Sequence, residues 1–240
     1  METQRVESIE DYLSPASAHW ARVRTTQVDM IPTPLQMQPT DYIRNSWEKR
    51  PYGQTQKIIV ASVHDGKKWA LRASWTDSSK PAPFKTPGDM NALEAAAWET
   101  HQALGKQTPV EIDPLAVFPN AFAIALPVRN RPVLALMGDK DAPIHYLRWS
   151  ADKKEAVSMI ATGIGSSRPG PELKSSVRVA ADGPTWHLVI ARPLDGGKDA
   201  APLVAGKTTG VGFALWRGEN QERAGIKAFS IDWTELELES

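Results

Sequence analysis

Apolar and polar positions alternate along most of this chain in short runs closed by Gly, Pro and Asp. Residues 57–64 and 67–75 flank Asp65-Gly66, and Asp-Gly between two such runs marks a β-hairpin. In the second arm Trp69, Leu71, Ala73 and Trp75 share one face, while Lys68, Ala70, Arg72 and Ser74 share the other. That period of two belongs to a half-buried strand. The pattern predicts further strands at 121–128, 133–137, 144–149, 156–162, 175–181, 186–192, 211–216 and 229–238. Many short strands at this spacing predict an antiparallel β-sandwich, immunoglobulin-like in outline, as a single unit over residues 1–240. One stretch breaks the pattern. Residues 91–104 are rich in Ala, Leu and Glu, Gly105 follows as a C-cap, and Pro81, Pro83, Pro87 and Gly88 precede it. It predicts one short helical insertion at about residues 89–106.

Composition narrows the chemistry. The chain has 240 residues and no cysteine, so disulfides, thiolate metal sites, cysteine nucleophiles and covalent c-type haem are excluded. Lys and Arg number 28, matching 28 Asp and Glu. A formal charge of zero argues against a nucleic-acid partner. No apolar run reaches the length of a membrane span, and the first residues carry no basic start followed by an apolar stretch, so a signal peptide is not expected.

The motifs that carry catalysis are missing. His19, His64, His101, His145 and His187 show no metal-ligand spacing. Thr162-Gly163-Ile164-Gly165 lacks the third glycine of a dinucleotide loop, and Pro169-Gly170-Pro171 interrupts the helix such a loop needs. Asp139, Asp141, Glu219, Glu222 and Asp232 read as surface turn acids rather than a carboxylate pair. Nine tryptophans are many for this length. They are read as core or interface anchors, with an exposed tryptophan platform in a carbohydrate-binding β-sandwich as the alternative function.

Gly210-Val211-Gly212-Phe213-Ala214-Leu215-Trp216, followed by Glu222-Arg223-Ala224-Gly225-Ile226-Lys227, resembles the ending of the haem b γ-subunit of ethylbenzene dehydrogenase and its relatives. Those subunits serve molybdenum enzymes of the dimethyl sulfoxide reductase family. Trp20 to Leu35, Val60 to Trp75, Ala123 to Pro127, Met137-Gly138-Asp139 with Pro143 and Trp149, and Trp186 to Arg192 resemble the same family in the same order. The resemblance implies a non-catalytic electron-transfer subunit holding haem b, with Met137 and Lys227 as axial ligands of the haem iron. Met90 is the fallback thioether. It further implies a molybdenum-cofactor catalytic subunit, an iron–sulfur subunit and a soluble electron carrier as partners, with no membrane span. Location is then periplasmic by export with a signal-bearing partner, or cytoplasmic if the missing signal decides. The chemistry asked of Lys227 is specific, because an amine binds a metal only when neutral and a free lysine titrates near 10.4.

Overall fold

The structure is a computed structural model that describes residues 1–77, 118–151 and 153–240. The helix predicted at 91–104, the insertion at 89–106 and Met90 lie outside the described residues.

The elements run β1 (Glu2–Arg5), β2 (Thr25–Asp29), β3 (Ile31–Pro32), α1 (Asp41–Trp47), β4 (Lys57–His64), β5 (Lys68–Thr76), β6 (Ala121–Pro127), β7 (Ile144–Ser150) and β8 (Val157–Ala161). They continue through β9 (Arg168–Pro169), β10 (Ser176–Asp182), β11 (Thr185–Pro193), β12 (Thr208–Trp216), β13 (Ala228–Phe229) and β14 (Thr234–Leu238). Neighbouring strands follow the order β10-β11-β5-β4-β1-β14-β12-β6-β7-β8-β9, with β2 on β4 and with β13 and β3 beside β12. The result is a largely antiparallel β-sandwich.

Two strands couple its halves. β12 pairs with β14 over Thr208–Val211 and with β6 over Gly212–Trp216, so one strand serves both sheets. β1 runs parallel to both β14 and β4. Its residues are mostly polar, which is why the apolar pattern did not mark it.

The core lies where the two inner faces meet. Trp69, Leu71, Ala73 and Trp75 of β5 and Leu188 and Ile190 of β11 face Phe122, Ile124 and Leu126 of β6, Leu147 and Trp149 of β7, and Phe213 and Leu215 of β12. Each fully buried side chain of this kind contributes roughly 1.5–3 kcal/mol. The Asp65-Gly66 turn forms as expected. Asp65 Oδ1 accepts from the amides of Lys67 (2.9 Å) and Lys68 (2.7 Å), and Gly66 takes a φ of +83°.

Three local elements differ from the pattern. Residues 133–137 form a 3-10 turn at Leu134–Leu136, ended by Met137 in the left-handed region at φ +60°, instead of a strand. Pro132 before it and Gly138 after it close the run too tightly for strand pairing. The 229–238 run splits into β13 and β14 around Ser230 to Trp233. Helix α1 has only Trp47 buried, so its apolar period is too short to register. Thr40 Oγ1 caps it by accepting from the Ile43 amide at 3.3 Å, and Trp47 packs edge-on against Tyr52 at 5.6 Å.

One glycine is fixed by close approach. A Cβ at Gly218 would lie 1.7 Å from the Phe118 carbonyl oxygen. Gly218→Ala is therefore expected to lower stability by on the order of 3 kcal/mol, read as a lower urea midpoint at unchanged slope. An unchanged midpoint would show that residues 118 and 218 are not in contact.

Candidate functional site

The outer face of the sheet formed by β12, β6 and β7 carries unusually small side chains. Cross-strand registers place Ala121 beside Trp216, Ala123 beside Ala214 and Ala125 beside Gly212. On the other side Ala123 pairs with Arg148 and Ala125 with Tyr146. Ala121, Ala123, Ala125 and Ala214 are all buried. Alternate residues of these strands point inward to the core, so this alanine–glycine floor faces the opposite way. Trp216, Phe229, Tyr146, Ala135 and Ile31 surround it.

Lys227 stands at one end of the floor. β13 pairs Phe229 with Ala214 and Ala228 with Leu215, so Lys227, one residue earlier, comes level with Trp216 on the Phe229 face. Its Nζ lies 5.5 Å from the centre of the Trp216 ring, and the Arg148 guanidinium lies 5.3 Å from the same ring. The Trp216 indole donates to the Ala224 carbonyl at 3.1 Å, which fixes the ring, and Lys227 Nζ donates to that carbonyl over 3.4 Å. Burial pushes the Lys227 ammonium down to about 8. Removing the amine from water disfavours its charged form, so the neutral amine needed for any lone-pair contact is far nearer than in a free lysine. Burial also raises the Tyr146 phenol, which keeps it protonated.

Met137 stands at the other end. The turn before it drops Leu134 onto the floor: a Cβ at Gly212 would lie 2.5 Å from Leu134 Cδ2. The Met137 amide donates to Leu134 O at 3.0 Å, and its carbonyl accepts from the Gly163 amide at 3.0 Å. Four residues of β12 separate Gly212 from Trp216, about 13 Å at ~3.3 Å per residue. The turn that ends at Met137 thus sets Leu134 on the Gly212 end of the floor, and Lys227 lies at the Trp216 end. The alanine floor between them escaped the sequence reading, because residues 121–128 read as uniformly apolar.

The other candidates disperse. Asp139 Oδ1 accepts from the amides of Asp141 (2.7 Å) and Ala142 (2.8 Å), a turn role. Glu222 is buried, and its carboxylate accepts from the amides of Gly53 (2.8 Å) and Arg217 (2.9 Å). Ser166 Oγ closes the 162–166 turn by accepting from the Thr162 amide at 2.8 Å. Trp20, Trp47, Trp69, Trp75, Trp149 and Trp216 are buried, and Trp186 and Trp233 are half-buried.

No known family profile matches the chain. By sequence it is similar to a protein named chlorate reductase subunit gamma from Ideonella dechloratans, at 28% identity over 94% of this chain and 80% of that one. It is also similar to one named dimethylsulfide dehydrogenase subunit gamma from Rhodovulum sulfidophilum, at 24% identity over 91% and 72%. A protein named putative respiratory nitrate reductase heme subunit from Haloferax mediterranei matches 48% of the chain and 42% of its own length at 29% identity. By structure it is similar to a putative carbohydrate-binding protein from Bacteroides uniformis, with a TM-score of 0.53 and 10% identity over 100% and 98% of the two chains. A family 9 carbohydrate-binding module from Caldicellulosiruptor kristjanssonii gives a TM-score of 0.47 at 8% identity over 100% and 95%.

The expectations drawn from the family resemblance are corrected at this point. The solved structure from Bacteroides uniformis that shares the fold is described as a putative carbohydrate-binding protein, and among the described residues no group of three or more His, Cys, Asp or Glu is placed to hold a metal ion. The haem b γ-subunit identity, the electron-transfer role, the haem b cofactor, and the molybdenum, iron–sulfur and soluble-carrier partners are not carried further. Among the described residues no helix is long and apolar enough to cross a membrane.

Proposed function

We propose that this chain is a non-catalytic binding module for a flat ring with apolar faces, lying on the alanine–glycine floor with Met137 and Lys227 at its two ends. The observation that carries the reading is the floor itself. A row of methyl groups and bare backbone forms a level apolar surface, buried in this structure and covered over Gly212 by Leu134, so a planar or chair-shaped ring lies on it once the Leu134 turn moves aside. Trp216 supplies an aromatic wall. Lys227 supplies a polar contact at the edge, as an amine that donates when charged and offers a lone pair when neutral. Met137 supplies a soft, polarisable contact. The fold match to a protein described as carbohydrate-binding supports binding over catalysis, and the sequence relatives are named as subunits rather than as stand-alone enzymes.

The test is ligand retention by the natively purified chain. Native mass spectrometry identifies the ring: a bound saccharide mass supports the reading, and a chain that carries no ligand when purified or when titrated with saccharides counts against it. Lys227→Ala and Met137→Ala are each expected to lower retention at least tenfold with an unchanged far-ultraviolet dichroism spectrum. Equal retention by wild type and both variants would remove the floor as the site.

A further inference from the structure

Two arginines bring their charge to one corner of the fold, between helix α1, the loop that joins β12 to β13 and the residues leading into β6. The Arg223 guanidinium lies over the Phe118 ring, 4.5 Å from its centre, and the Arg50 guanidinium lies over the Trp47 ring at 4.4 Å. Arg50 Nη1 donates to Gln221 Oε1 and its Nη2 to the Asn220 carbonyl, both at 2.8 Å. These bonds draw it against the loop that carries Arg223. The two cations are close enough for the charge of Arg50 to act against that of Arg223.

Among the described residues no carboxylate answers them, and neither arginine forms an ion pair. Arg223 Nη1 is fully buried and has no hydrogen-bond partner. Glu222 is next to it in sequence, but its carboxylate is taken by the amides of Gly53 and Arg217 and by the Asn220 side-chain amide at 3.1 Å. Asp41 of α1 is taken by Arg44. Burial disfavours the charged form of Arg223, the Tyr42 phenol favours it and Arg50 disfavours it, so its pKa falls below the ordinary value. A guanidinium nevertheless stays charged at neutral pH, so the cost of burying it stands until an acceptor is supplied.

We infer that Arg223 and Arg50 form a binding site for an oxyanion, a carboxylate or phosphate group carried by a small ligand. Each cation rests on an aromatic face, which attracts the charge and leaves N–H groups at the edge of the guanidinium for an acceptor. Two oxygens of one anion match that planar fork, whereas a halide fills only one of its positions. Two cations that repel each other both gain from a negative charge set between them. Arg223 is half-buried and Tyr42 beside it is exposed, so the anion arrives from the Tyr42 side. The site borders the Lys227 end of the alanine floor and does not depend on ring binding there.

The experiment follows the arginine Nε–H signals of the full chain by two-dimensional nuclear magnetic resonance. Inorganic phosphate and acetate are titrated in turn, with chloride holding the ionic strength constant. The Arg223 and Arg50 signals, assigned by their loss in Arg223→Lys and Arg50→Lys, are expected to shift saturably with one midpoint, while Arg178 on β10 stays unmoved. Tighter binding of phosphate assigns a phosphate ligand, and tighter binding of acetate a carboxylate. Arg223→Lys keeps the positive charge without the fork and should weaken binding, read at Arg50, at least tenfold. Arg50→Lys, read at Arg223, should weaken it to a similar extent, which keeps the test valid if the first variant folds poorly. Neither probe carries a ring, so the outcome is separate from that of the floor. An Arg223 signal unmoved up to the solubility limit of both salts, or lysine variants that bind both anions like wild type, overturns the inference.

Discussion

Between pH 6.5 and pH 4 the protein is expected to lose about 3 kcal/mol of stability through His145 alone. This imidazole is fully buried on the inner face of β7. Burial, helped by the nearby Arg192 guanidinium, pushes it down from 6.5 to about 4. The geometry explains the neutral form. His145 Nδ1 accepts from the Ala201 amide at 3.1 Å, so the ring proton sits on Nε2, 3.0 Å from Ser158 Oγ. Arg192 donates to the carbonyls of Pro193 (2.8 Å), Leu194 (3.2 Å) and Ala201 (3.0 Å), and together the two side chains hold the segment between β11 and β12 against the end of the sandwich.

Protonating His145 turns an acceptor into a donor facing another donor, beside a buried cation. The sign follows from linkage. The unfolded chain takes up the proton near 6.5 and the folded chain near 4, so the unfolded state binds more protons between these values and stability falls as the pH falls. At 1.36 kcal/mol for each tenfold change in proton affinity, the fall from 6.5 to about 4 gives the ~3 kcal/mol. His64 and His187 are also lowered by burial and act in the same direction. The measurement is a series of urea melts from pH 7 to pH 4 for wild type and His145→Gln, whose difference isolates one residue. Parallel stability curves for the two proteins would show that His145 does not titrate within the fold.

The buried alternation of β5, the Asp-Gly turn and the apolar arms of β6, β7, β8, β10, β11 and β12 were legible in the sequence, because each buries one or both faces and the period of two survives. β1 and β2 were not: β1 is wholly polar and is held by strand pairing, and β2 buries a single apolar side chain, Val28, too few to show a period. The 133–137 run misled for a physical reason. Val-Leu-Ala-Leu-Met has strand composition, but the backbone reverses at Met137 to set Leu134 on Gly212, a tertiary contact that local propensity does not encode. Lys227 and Met137 come from the resemblance alone; the register of β13 on β12 sets Lys227 level with Trp216, whereas Met137 lies off these strands at the end of the 134–136 turn. Most of the described tryptophans are core residues, and Trp186 and Trp233 are half-buried.

Filling the floor should abolish ring binding without unfolding the protein. Ala123 sits at its centre, flanked by Ala214 and Arg148 across the strands and by Ala121 and Ala125 two residues away. Its Cβ points to the outer face, away from the core built by Phe122 and Ile124. Ala123→Phe places an aromatic ring where the ligand ring would lie. Overpacking at such a buried position typically costs 1–3 kcal/mol, within the 5–15 kcal/mol of a native domain, so the sandwich should persist. Ligand retention should fall by more than a hundredfold, because the competitor is covalently present at the site. Ala123→Gly is the control: it removes one methyl, leaves the floor level and should keep most of the binding. Both variants are read by native mass spectrometry of the purified chain, with thermal melts to confirm folding. A folded Ala123→Phe protein that still carries its ring would place the ligand elsewhere on the molecule and leave Lys227 as a desolvated lysine packed on Trp216.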